Sequence, residues 1–231
     1  MLIIADDAIR DPDRLRRLSA RTFHARRRMY ELDPLQHHGW FALPESALSF
    51  WPQDYLPIET LRLSRAVGVS TPLELDISVY RDESAMLAGF TNISKSVERE
   101  LDSRVHLRSI YQLKSTLSKI MLLPCLFLQA NRGDGIDKKS SFAIAKQKLS
   151  ADSWRAIDVA SAIRVNWQPP QYRTSLFLTR PGVVGDFVRK RCSPPLSTEL
   201  AKRVGEPFVA DAKRLIDEMR TILPQAPSPS P

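Results

Sequence analysis

Pro72-Leu-Glu-Leu-Asp-Ile-Ser-Val-Tyr-Arg-Asp-Glu83 sets Leu73, Leu75, Ile77 and Val79 in alternation with Glu74, Asp76, Ser78 and Tyr80. A period of two predicts a strand with one apolar and one polar face. Glu74 and Asp76, two residues apart, then project from the same side of one rigid element. A carboxylate pair so placed can ligate a divalent cation or serve as a general base. It can equally form the solvated outer face of a sheet.

Upstream of this strand, Leu2-Ile-Ile-Ala5 reads as a short strand that Asp6-Asp7 ends. Asp11-Pro12 supplies an N-cap with proline at the first helical position. From there Leu15, Leu18, Thr22, Ala25 and Met29 mark one helical face. The interval Arg10–Arg28 holds eight arginines, and Asp33-Pro34 closes the helix. His37-His-Gly-Trp-Phe-Ala-Leu43 predicts a second strand, and Ile58–Val67 a further helix ahead of Gly68. Adjacent histidines on a strand face opposite ways, so His37 and His38 do not share a metal.

Downstream the texture is helical. Ile93, Val97, Leu101, Val105 and Arg108 recur at helical spacing, and an apolar face from Leu107 runs through Leu113 and Leu117 to Pro124. Arg132-Gly-Asp-Gly135 breaks the run. Ser140–Leu149 and Ser153–Trp167 read as two more helices, the second capped by Asp152 or Ser153. Gln168-Pro-Pro-Gln171 is linker-like, and Ser175–Leu178 could form a small strand. Ser197 offers a cap for a helix to Val204. Pro207 can restart one that sets Phe208, Ala212, Leu215, Met219 and Ile222 on one face. The Pro/Ser-rich end, Gln225–Pro231, has the composition of a disordered tail.

Composition bounds the rest. With 231 residues, 43% hydrophobic and 26% charged, the chain is in the ordinary globular range. No apolar run is long enough for a membrane span. Cys125 and Cys192 have no metal-ligand spacing, Cys125 reads as a core residue, and the chain reads as cytoplasmic. A net charge of +8 and a pI of about 9.7 suit an anionic partner. The basic interval Arg180–Arg203 and the pair Lys114 and Lys119 beside Tyr111 add to that expectation.

The order strand, basic helix, strand, acidic strand, helical half resembles the nucleotidyltransferases of the polymerase-beta superfamily, in particular their aminoglycoside adenylyltransferase-like branch. Two segments carry the resemblance. Pro72–Glu83 is similar to the strand that brings a third carboxylate to the metals of that family. Gly135-Ile-Asp-Lys-Lys139-Ser-Ser-Phe-Ala143, continuing through Leu149 to Trp154, is similar to a segment of its helical domain. The likeness extends over roughly residues 1–167.

The resemblance implies an α+β fold: a small mixed sheet with flanking helices, followed by an antiparallel helical bundle. It divides the chain into a nucleotidyltransferase-like part over 1–91, a helical part over 92–167, and a mostly helical extension over 168–224. It implies Mg²⁺-dependent transfer of a nucleoside monophosphate from a nucleoside triphosphate to a small hydroxyl acceptor. Glu74 and Asp76 are then the metal-binding and catalytic carboxylates, and Lys139 a phosphate contact. The family also carries a Gly-Ser turn followed by a strand bearing Asp-x-Asp, and that combination is not in this sequence. Met1–Ala5 resembles the apolar end of such a strand, so the resemblance implies a chain that opens part-way along it. Asp6 and Asp7 then fall about 13–17 Å from the family's acids at a rise of about 3.3 Å per residue. A weakly active or inactive protein is the expectation. The alternative from a different class is a basic nucleic-acid-binding or partner-binding module without catalysis.

Overall fold

The computed structural model describes residues 2–33, 42–50, 82–131, 138–167 and 179–223. The chain is mostly helical with a small parallel sheet. Leu2–Ile4 forms β1, and Ala42–Pro44 forms β2. They pair in parallel with Leu2 opposite Ala42, Ile3 opposite Leu43 and Ile4 opposite Pro44. The strand expected over Leu73–Tyr80 and the helix over Ile58–Val67 lie outside the described residues. The same holds for His37 and His38, the linker at 168–171, the strand at 175–178 and the tail.

Asp6 and Asp7 do more than end β1. They open a one-turn helix, α1 (Asp6–Arg10), where acidic residues complement the positive end of the helix dipole. Asp11 then caps α2 (Pro12–Leu32), its carboxylate accepting from the backbone N–H groups of Asp13 and Arg14. Proline in the first turn gives up no helical hydrogen bond, so cap and proline together fix the start. Only Tyr30 of this 21-residue helix is buried. Glu45–Phe50 follows β2 as a 3-10 helix.

The helical half begins where the acidic stretch ends. Asp82 caps α3 (Glu83–Asp102) by accepting from Ala85 N–H. The segment Met86–Phe90 lies within this helix, and its buried side is Met86, Phe90, Ser94, Val97 and Leu101. The periodicity through Val105 and Arg108 does not extend the helix. Arg104 adopts a left-handed conformation at φ 52°, and Val105–Leu107 forms a separate 3-10 turn.

Next come α4 (Ile110–Ile120) and α5 (Leu123–Ala130), with the break at Met121-Leu122 rather than at Pro124. Pro124 sits in the first turn of α5, the place where a missing N–H costs nothing. After α6 (Lys138–Lys148) comes α7 (Ala151–Val165). Its N-cap is Ser150, which accepts from Ser153 N–H at 3.3 Å, and not Asp152 or Ser153. A helix that periodicity did not reveal, α8 (Val183–Cys192), starts after Gly182 at φ 99°. Ser197 caps α9 (Thr198–Arg203) as expected. Finally α10 (Glu206–Ile222) buries Phe208, Ala212, Leu215, Ile216 and Met219, while Ile222 is partly exposed.

One apolar cluster joins these helices from Phe90 to Leu223, taking in Leu113, Leu117, Leu126, Phe127, Ile157, Ile163, Val204 and Phe208. Leu107 and Phe142 pack on it only partly buried. The strongest pairings are α10 on α7 and α3 on α5. Polar ties lock both sides of α10. The Glu218 carboxylate accepts from Ser150 N–H at 2.8 Å and Ser150 Oγ at 2.7 Å, and Arg220 grips Glu98 of α3 through two contacts at 2.6 and 2.7 Å. Leu117, fully enclosed, is a probe of the packing. Leu117→Ala is expected to cost about 2–5 kcal/mol in a urea titration, and a loss below about 1 kcal/mol would place it at the surface.

Candidate functional site

The carboxylates that sequence reasoning singled out, Glu74 and Asp76, lie outside the described residues. Lys139 lies in the first turn of α6. The acids that follow β1 are all occupied. Asp6 accepts from the backbone N–H and the hydroxyl of Ser46 at 3.2 and 3.0 Å, tying α1 to the turn after β2. Asp7 accepts from Arg14 at 2.6 Å, and that hydrogen bond holds its pKa below the ordinary carboxylate value. Asp11-Pro-Asp13 has the Asp-x-Asp spacing, but Asp11 is spent on the α2 cap. Among the described residues no group of three or more His, Cys, Asp or Glu side chains is placed to hold a metal ion. The Mg²⁺ expectation rests on Glu74 and Asp76.

Two junctions join the basic helix to the helical half. At the first, Arg189 of α8 is almost completely buried, its guanidinium stacked 3.5 Å from the Tyr30 ring centre. Its Nη1 donates to the Arg180 carbonyl at 3.0 Å, and its Nη2 pairs with Asp186. A stacked, forked cation is what a planar guanidinium can form and an ammonium cannot. Arg26 adds a hydrogen bond from Nη2 to Tyr30 Oη at 3.2 Å.

Gly185 makes this clasp fit. A Cβ there would stand 1.7 Å from the Arg180 carbonyl oxygen and 3.1 Å from Arg189 Nη1. The carbonyl is backbone and cannot swing aside, so Gly185→Ala is expected to displace α8. The measurement is a thermal or urea midpoint, with a loss of about 1–3 kcal/mol for the forced shift.

At the second junction, Lys114 of α4 is buried, pairs with Asp33 at the end of α2 and faces the Trp167 ring 5.8 Å away. Burial pushes its pKa down, against the pull of Asp33. Lys119, a turn and a half further on, pairs with Glu100 and donates to Ser96 Oγ at 3.1 Å. The expectation that Lys114 and Lys119 beside Tyr111 form a basic surface is therefore corrected: Lys114 is buried, and Lys119, partly buried, is paired with Glu100. Tyr111 is itself half-buried, which raises its pKa. Arg189, counted in the basic interval Arg180–Arg203, is likewise internal.

A cleft of about 370 Å³ opens between the 3-10 turn and the start of α10, lined by Asp102, Arg104, His106, Glu206 and Lys213. Its charges neutralise one another, Arg104 on Glu206 at 2.6 Å and Lys213 on Asp102 at 2.5 Å. His106 is fully enclosed; its Nε2 lies 3.1 Å from the Val204 carbonyl, and its Nδ1 3.5 Å from that of Glu100. With one ring N–H donated to a carbonyl and the ring fully enclosed, His106 ties the turn to the end of α9.

Burial pushes the His106 pKa below its ordinary 6.5. The unfolded chain then takes up a proton that the folded chain refuses, so stability is lost as pH falls below about 6.5. The expected slope is at most about 1.4 kcal/mol per pH unit. Urea titrations between pH 7 and 5 check it, above the range where Asp7 and Glu218 protonate. His106→Gln is expected to flatten the slope.

A row of open charge lies on α2. Between Arg14 and Met29 it holds seven arginines and no carboxylate. Arg16 pairs with Asp13 at 3.3 Å and Arg27 with Glu31 at 3.3 Å, whereas Arg17, Arg21 and Arg28 stand exposed. No helix among the described residues is long and apolar enough to cross a membrane. No protein-family model, curated protein or solved structure matches the chain.

Proposed function

We propose that this chain is a nucleotidyltransferase-like protein whose ligands are a Mg²⁺-nucleoside triphosphate and a small hydroxyl-bearing acceptor, with low turnover or none. The observation that carries the reading is the pairing of β1 and β2. A short Leu-Ile-Ile strand leads through helices into a parallel neighbour, and the described residues from Glu83 onward are mostly helical. The first strand, the basic helix and the second strand of the order on which the resemblance rests are consistent with this pairing. In this reading residues 1–91 form the nucleotide-handling part, with Leu73–Tyr80 a further strand of a mixed sheet. Residues 92–167 form an antiparallel bundle beside it, from which Lys139 meets a phosphate. Two free cysteines, Cys125 and Cys192, accord with a cytoplasmic setting.

Low turnover follows from the state of the acids. Phosphoryl-transfer chemistry depends on positioning and on neutralising phosphate charge. Asp6, Asp7 and Asp11 are held by Ser46, Arg14 and a helix cap. Of the acids in the N-terminal part that the resemblance and the first strand single out, Glu74 and Asp76 are left to act, one as base and the other as ligand. Isothermal titration with a Mg²⁺-nucleotide is expected to show weak binding. Any Mg²⁺-dependent pyrophosphate release is expected to vanish in Glu74→Gln, with helix content by circular dichroism unchanged. Release that survives Glu74→Gln would remove that residue from the chemistry, and no binding of any Mg²⁺-nucleotide would remove the reading.

A further inference from the structure

We propose that the exposed arginine stripe of α2 is a docking surface for the phosphate backbone of a double helix. Arg14, Arg17, Arg21, His24 and Arg28 follow one another at steps of three and four residues. At 3.6 residues per turn they fall within an arc of about 80°. The stripe is about 21 Å long, and neighbouring members rise about 4.5–6 Å along the axis. Phosphates of one strand advance about 3.4 Å each, so the stripe spans about six of them.

Three features separate this stripe from an ordinary solvated helix face. Arg14 spends its charge on Asp7 at 2.6 Å, but Arg17, Arg21 and Arg28 make no ion pair or hydrogen bond with any described residue. Arg14 with Arg17, and Arg17 with Arg21, are like-charge neighbours of the kind that destabilise a helix by about 0.2–0.5 kcal/mol each. The helix keeps them although no acid sits between Arg14 and Met29 to relieve them. Other exposed cations, Lys95, Arg108, Lys146 and Arg203 among them, are spread over several elements, whereas α2 sets its open arginines in one row. The Arg189 clasp also brings exposed Lys190 and Arg191 of α8 to the C-terminal end of α2.

A duplex is favoured over a single strand by what the stripe lacks. Single-strand surfaces use aromatic rings as stacking platforms, and the aromatic neighbour here, Phe23, is turned edge-to-face onto His24 with ring centres 6.0 Å apart. Contacts to phosphate position a protein without reading sequence, so the surface is sequence-tolerant. This inference does not rest on the nucleotidyltransferase reading.

The test is fluorescence anisotropy of the full 231-residue chain with a mixed-sequence DNA duplex of about 25 base pairs, over a range of salt concentrations. With three to four phosphate contacts, log K is expected to fall against log salt with a slope of about −3 to −4. The Arg17→Gln, Arg21→Gln, Arg28→Gln triple variant is expected to reduce the slope to about −1 and weaken low-salt binding about tenfold or more. The corresponding triple Lys variant, which keeps the charge, retains most of the slope. Relief of like-charge repulsion leaves both variants at least as helical as the parent, checked by circular dichroism. If the triple Gln variant unfolds, Arg21→Glu alone must still reduce the slope. A parent slope near zero, equal binding by the triple Gln variant, tighter binding to the single strand, or preferential capture by anionic vesicles would each overturn the proposal. Mg²⁺-nucleotide binding is unchanged in the triple Gln variant and duplex binding is unchanged in Glu74→Gln, so the two readings fail separately.

Discussion

Every residue of α5, Leu123-Pro-Cys-Leu-Phe-Leu-Gln-Ala130, is buried, and the helical half is arranged to make that so. A helix apolar all round has no face to give to water and must be enclosed on every side. The enclosure comes from helices that each have a polar side to spare. α3 covers one flank and α6 another, while Leu113, Leu117 and Ile120 of α4 close the preceding turn. α7 and α10 then pack on each other to complete the cluster. Each fully buried Leu or Phe contributes about 1.5–3 kcal/mol of transfer free energy. That sum is what offsets the chain entropy of ordering so many short helices.

Apolar burial is non-directional, so it does not by itself decide where α2 and α8 dock. Buried cations supply the direction. Arg189 needs an aromatic face, a carbonyl and a carboxylate at fixed angles, and Tyr30, Arg180 and Asp186 provide them. Lys114 needs Asp33, which exists in that place only if α2 ends where it does. Replacing one partner of such a pair leaves an uncompensated internal charge, so misdocked arrangements are penalised more heavily than the native one is stabilised. The segment after α8 contributes in the same way. The Pro194 carbonyl and Ser193 Oγ accept the first N–H groups of α4, Ile110 and Tyr111, each at 2.9 Å. The otherwise orphaned donors of one helix are thereby tied to the end of another.

Much of this was legible in the sequence. Asp11-Pro12 and Ser197 announce helix starts through the chemistry of a cap, and both stand where expected. Periodicity found the buried sides of α4 and α10, and Val97 and Leu101 of α3, because burial on one face leaves a repeat in the residue order. α8 was missed for a physical reason: its outward residues Val183, Val184 and Phe187 are apolar and exposed, while its inward residue is Arg189. An inverted pattern defeats any reading that equates polar with outside. The same inversion misplaced Lys114 and Lys119, whose carboxylate partners are 81 and 19 residues away in sequence. The extension of the α3 pattern past Asp102 failed because a left-handed residue, Arg104, interrupts it, and no spacing rule registers a single φ. Of the proposed site, Glu74 and Asp76 rest on the sequence alone, whereas the fate of Asp6 and Asp7 became visible only with their partners in place.

The distribution of charge therefore divides by role. A cation drawn wholly or partly inside, such as Arg189, Lys114 or Lys119, gains from a lowered dielectric and is held in one geometry. A cation at the surface without a partner gains nothing from the fold, and on a helix beside its like it costs some stability. In a protein of net charge +8, the second kind need not gather anywhere. Scattered cations such as Arg99, Arg108 and Arg203 leave a diffuse potential that salt screens within about 8–10 Å. Held in one row on a rigid helix, Arg17, Arg21 and Arg28 sum over a line of anionic groups, and each released counterion adds to the same binding event. The Tyr30–Arg189 clasp and the Asp33–Lys114 pair stiffen the end of α2 that would otherwise fray, so the row keeps its spacing. The contacts that fix the fold are in this way the ones that keep the open charges in register.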